Sequence, residues 1–123
     1  MKAEVKRAAE KTLEALQLEN KTADIYIISE AKSKELNRKY RGVDASASVL
    51  SFPETVGFPR PEEKEGQYLG EIFITPAYLK RRGYSVQLLI IHGILHLLGF
   101  DHKEKKKARR MEKEEKRIEK LIG

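Results

Sequence analysis

A chain of 123 residues without cysteine has the size of one domain, spanning 1–123, whose core rests on side chains alone; disulfides and thiolate metal sites are excluded. The net charge of +6 is concentrated near the end, where residues 103–123 hold ten Lys/Arg against five Glu; the bias favours polyanionic partners, nucleic acid before anionic membrane. Charges interrupt the apolar positions from Lys2 to Lys11, and His92 and Gly93 split the longest apolar runs, so no signal peptide, anchor or bilayer span is expected; with no cysteine to need an oxidising compartment, a cytoplasmic protein is expected.

The first predicted element is an amphipathic helix from Ala3 to Leu18, with Val5, Ala9, Leu13 and Leu16 at helical spacing and Asn20 ending it. Asp24 to Ser29 is apolar and β-rich without a break, which predicts a buried strand. A second helix follows, capped by Ser29 or Ser33, with Leu36 and Tyr40 four apart on its inner face. Ser48 to Phe52 alternates polar and apolar residues and stops at Pro53, as a half-exposed strand near a sheet edge does.

Glu54 to Gln67 has Gly57, Pro59, Pro61 and Gly66 and no periodicity, so it reads as a long surface loop. Gly70 to Pro76 is a further strand, and Ala77 to Gly83 a short helix or turn. Ser85 caps a helix from Val86 to Leu98 that is apolar nearly all round and must therefore be buried. The last helix, Lys103 to about Leu121, has a thin apolar stripe of Ala108, Met111, Ile118 and Leu121 or Ile122; its charged side is a solvated face as much as a nucleic-acid contact. This order predicts an α+β fold, a small mixed β-sheet covered by helices, with the buried helix carrying a metal.

All three histidines lie in the run His92-Gly93-Ile94-Leu95-His96-Leu97-Leu98-Gly99-Phe100-Asp101-His102. Imidazoles four apart share one helix face, about 6 Å apart along the axis, and suit joint ligation of one ion. Gly99 has no Cβ and tolerates the left-handed conformation that ends a helix, so the chain can turn and bring His102 back to His92 and His96. Three neutral nitrogen ligands leave a coordination position open for water, the pattern of catalytic zinc, although imidazole also suits nickel, copper and iron. The site is thus read as one Zn2+, or another divalent transition metal, per chain.

His96 to His102 also has the HxxGxxH spacing of metzincin proteases, but Gly93 stands where their general-base glutamate follows the first histidine, which disfavours a metallopeptidase. A three-histidine zinc still lowers the pKa of its water toward about 7 or polarises a phosphoryl oxygen. A phosphodiester would also call for a fixed guanidinium, because the planar fork binds two non-bridging oxygens; Arg41, after the second helix, is placed for that. Asp101 is a candidate to hold a ligand imidazole by its second nitrogen, with capping of the final helix as the equal alternative. Glu71 and Ser51 are weaker candidates.

The run HGILHLLGFDH at 92–102, with LNRKYRGVDASASVLSFP at 36–53 and LGEIFI at 69–74, resembles the YbeY family of bacterial metal-dependent endoribonucleases of ribosomal RNA maturation. The resemblance implies a zincin-like fold, zinc on His92, His96 and His102, and a functional Arg41 from the YR pair. It also implies single-stranded RNA as substrate, a role in rRNA processing, and ribosomal small-subunit components and an assembly GTPase as partners. Family members usually read close to PTDVLSFP where this chain has Ser46, Ala47 and Ser48 ahead of Val49, and many begin with a strand before the first helix. Beside the endoribonuclease stands a second reading, an RNA-binding ribosome-assembly factor whose metal is chiefly structural.

Overall fold

The computed structural model describes residues 2–54, 68–101 and 103–122. In chain order the elements are α1 (Lys2–Ala15), β1 (Thr22–Ile27), α2 (Glu30–Arg41), β2 (Val49–Pro53), β3 (Tyr68–Ile74), α3 (Ala77–Arg82), α4 (Val86–Leu97) and α5 (Lys105–Ile122). The predicted loop at 55–67 lies outside the described residues, as does His102. The order of elements agrees with the expectation of an α+β fold with a small mixed sheet.

The three strands lie in the order β1-β3-β2, with β1 parallel and β2 antiparallel to β3. The central strand alternates strictly, and its buried Ile72 and Ile74 face a core shared by Val5, Ala8 and Leu13 of α1 and Leu89, Ile90 and Ile94 of α4. Period-two alternation sends the neighbouring side chains to the opposite face, where Phe73 stacks on Tyr26 at 5.0 Å and meets Phe52 edge-on at 5.7 Å.

Several expectations need correction. The first helix stops at Ala15, because Gln17 takes φ 60° and the Leu18 N–H turns back to the Leu13 carbonyl. The strand at 22–27 is an edge strand rather than a buried one, with Tyr26 and Ile27 at 42% and 38% exposure; an unbroken apolar run does not distinguish the two positions. On α2, Ser29 is the cap, its hydroxyl accepting from the Lys32 N–H, while Ser33 is buried. The inner face of α2 is Ser33 and Asn37; Tyr40 faces outward at 61% exposure.

That polar inner face has a structural purpose. Ser33 Oγ donates to the Ala47 carbonyl at 3.0 Å and accepts from its N–H at 2.9 Å, and Asn37 Nδ2 donates to the Ala45 carbonyl at 2.8 Å. An irregular segment has no sheet ladder to satisfy its backbone, so two buried side chains do so and set the entry into β2.

Helix α4 is buried over most of its circumference, and Ser85 caps it as expected, accepting from the Leu88 N–H at 3.0 Å. Its Gly93 lies tight against the sheet: a Cβ there would lie 2.9 Å from Ile72 Cγ2 and 3.3 Å from Ser51 Oγ. Helix α5 packs on its other side, where Met111 and Ile118 close a second cluster with Ile91 and Leu95. Of the predicted stripe, Leu121 points away, at 61% exposure.

Candidate metal centre

The metal-ligand candidates on α4 lie along a strip of that helix that is not fully buried. Leu88, His92 and His96 recur every four residues at intermediate exposure while Leu89 to Ile91 and Gly93 to Leu95 are buried, so the imidazoles stand at the rim of the core rather than inside it. Their Nε2 atoms lie 3.0 Å apart and their ring centroids 4.6 Å. Two ligands at Zn–N distances of about 2.0–2.1 Å in a tetrahedron have nitrogens about 3.3 Å apart, so this pair needs only a few tenths of an ångström of adjustment to share an ion. The donor set fits a borderline divalent cation.

The turn expected at Gly99 is present. Gly99 has φ 97°, its N–H bonds to the His96 carbonyl and the Phe100 N–H to the Leu95 carbonyl, both at 3.0 Å. These are the paired bonds of a Schellman helix stop, which reverses the chain just ahead of His102. Where His102 goes is outside the described residues, and no group of three ligating side chains occurs among those described.

The far nitrogen of His92 has a partner that spacing alone did not suggest. His92 Nδ1 lies 2.7 Å from Glu115 Oε1, with the two side chains 29% and 17% exposed. Glu115 is four residues after Met111 and three before Ile118, on the apolar stripe of α5, and a carboxylate on such a stripe is the signal that could have found it. Asp101 has other described contacts: its Oδ1 accepts from the Lys103 N–H at 3.1 Å, and its Oδ2 is 4.0 Å from Lys107 Nζ, so it braces the turn that leads into α5.

Arg41 is the last residue of α2, not just beyond it. Its Nη2 donates to the Ser51 carbonyl at 2.6 Å and its guanidinium lies over the Phe52 ring at 5.3 Å. Ser51 in turn donates from Oγ to the Gly93 carbonyl at 2.9 Å. One residue of β2 therefore ties Arg41 to the residue next to His92. Glu71 is not brought to this place, because it pairs with Phe52 and Asp24 on the sheet face opposite the one that packs against Gly93.

A family model described as Endoribonuclease YbeY matches residues 1–123. The chain belongs to that family. Curated relatives named Endoribonuclease YbeY include one from Persephonella marina, 38% identical over 111 residues that cover 84% of this chain and 71% of that protein. Another, from Pelotomaculum thermopropionicum, is 38% identical over 120 residues, covering 88% and 79%. Among solved structures, a Thermotoga maritima protein determined in solution superposes with a TM-score of 0.56 at 27% identity, covering 97% of this chain and 79% of that one. Membership of the YbeY family makes the chain one of a group of RNA-cleaving hydrolases and agrees with the likeness carried by the histidine run. No helix among the described residues is long and apolar enough to cross a membrane.

Proposed function

We propose that this YbeY protein is a single-domain, zincin-like, zinc-dependent endoribonuclease that cuts single-stranded RNA in ribosomal RNA processing. The observation that carries the metal reading is the pair of Nε2 atoms 3.0 Å apart on a half-buried ledge of α4, followed by a helix stop leading to His102. His92, His96 and His102 are the ligands in this reading. A divalent ion held by these imidazoles would supply Lewis-acid chemistry, polarising a phosphoryl oxygen or activating water at neutral pH.

The chain's own contribution to the phosphate is Arg41. It is held by a carbonyl and an aromatic ring, and neither neutralises it, so its charge stays available for a non-bridging phosphoryl oxygen. Gly93, next to His92, has no side chain to act as base. RNA is the partner class in this reading, with small-subunit ribosomal components and an assembly GTPase as the protein partners and the cytoplasm as the compartment.

The same Gly93 favours a second reading, an RNA-binding ribosome-assembly factor with a mainly structural metal. One experiment separates them: incubate purified protein with single-stranded ribosomal RNA precursors, with chelator and then with zinc restored, beside Arg41→Ala and His96→Ala. Cleavage that follows zinc, an Arg41→Ala protein that binds RNA without cutting, and a His96→Ala protein that has lost its metal support the endoribonuclease. RNA binding without zinc-dependent cleavage supports the assembly factor, and unchanged metal content and cleavage in His96→Ala overturn the metal reading.

A further inference from the structure

We infer that Glu115 is a positioning residue for the metal centre: reaching across from α5, its carboxylate fixes the ring orientation and the proton position of His92, so that Nε2 faces His96 with a lone pair. This rests on the reading of His92 and His96 as ligands.

The argument begins with the contact itself. A carboxylate oxygen accepts, so across the 2.7 Å from Glu115 Oε1 it is His92 Nδ1 that donates. A neutral imidazole carries one ring proton, so with Nδ1 protonated the other nitrogen, Nε2, is left bare. Nε2 is the atom that faces His96 Nε2 at 3.0 Å. His92 is therefore in the tautomer that ligation through Nε2 requires. Outer carboxylates of this kind orient a ligand ring and raise its basicity.

The second part of the argument is the mounting. Glu115 is seated between Met111 and Ile118, which are 2% and 0% exposed and are packed on Ile91 and Leu95 of α4, the residues before and three after His92. Helix α5 is thus clamped one turn to either side of the carboxylate, which limits both the rotation of the helix and the travel of the side chain. Its neighbours Glu112 and Glu114 have basic partners on their own helix, Lys116 and Arg117. Glu115 instead reaches another helix and lands on the outer nitrogen of a ligand candidate.

The test uses the full chain, with Glu115→Ala and the conservative Glu115→Gln. Nitrogen-15 NMR of the metal-free proteins is expected to show the His92 proton on Nδ1 in the wild type and that preference lost in Glu115→Ala. Zinc affinity by competition with a chromophoric chelator is expected to fall 10- to 100-fold in Glu115→Ala and less in Glu115→Gln, whose amide oxygen still accepts. Zinc affinity within about threefold of wild type in Glu115→Ala, or an unchanged His92 tautomer, would overturn the assignment. A wild-type protein that binds no zinc would instead sink the ligand reading, and the tautomer measurement would still decide whether Glu115 sets the ring.

Discussion

At the residue scale the site depends on what is missing at position 93 as much as on the histidines beside it. An alanine at Gly93 would press its Cβ to 2.9 Å from Ile72 Cγ2 and 3.3 Å from Ser51 Oγ, with Ile72 itself buried. Overpacking of this kind costs about 1–3 kcal/mol, and alanine's better helix propensity returns up to about 1. Gly93→Ala is therefore expected to lower stability by about 1 kcal/mol, measured by denaturant unfolding; a variant more stable than wild type would show that α4 stands further from the sheet. The HxxxHxxxxxH run was legible because α-helical spacing converts directly into a shared face, and Gly99 announced its own turn. Glu115 was not legible from spacing, because the contact joins residues 92 and 115 across two elements. The signal that could have marked it is an acid on an apolar stripe, which the sequence reading passed over.

At the scale of elements, α2 is the instructive case. The sequence suggested Leu36 and Tyr40 as its inner face by hydrophobicity, yet the buried positions are Ser33 and Asn37, because what α2 faces is a run of backbone that needs hydrogen bonds more than apolar cover. Asn37→Ala removes the donor to the Ala45 carbonyl and is expected to cost about 1–3 kcal/mol, with faster amide exchange in 43–48. Unchanged exchange there would mean that the segment is held by its other contacts. The helices with a regular apolar period and a serine cap were placed to within a few residues. The strand at 22–27 was correctly assigned as a strand but not as an edge, since edge and centre differ in pairing partners that are distant in sequence.

For the whole molecule, α4 is the common wall of both apolar clusters, so whatever binds its rim is coupled to global stability. An ion held in the folded state alone stabilises it by about 2.7 kcal/mol at a hundredfold excess over its dissociation constant. Zinc is expected to raise the unfolding temperature of the wild type and to leave that of a His92→Ala,His96→Ala protein unmoved; equal shifts in both would place the ion elsewhere. The +6 charge acts at this scale too. RNA affinity is expected to fall steeply with salt, and charge-neutral substitutions at Lys106, Arg109 and Lys113 of α5 should flatten that dependence if this helix meets phosphates; an unaltered slope would mark its charge as solvated.

Ser51 joins these scales. Through its carbonyl it steadies a guanidinium from one helix, and through its hydroxyl it grips the backbone of another, so the two halves of the proposed site are gauged from a single covalent unit of a strand. A phosphodiester arriving there would meet a calliper already set to one opening.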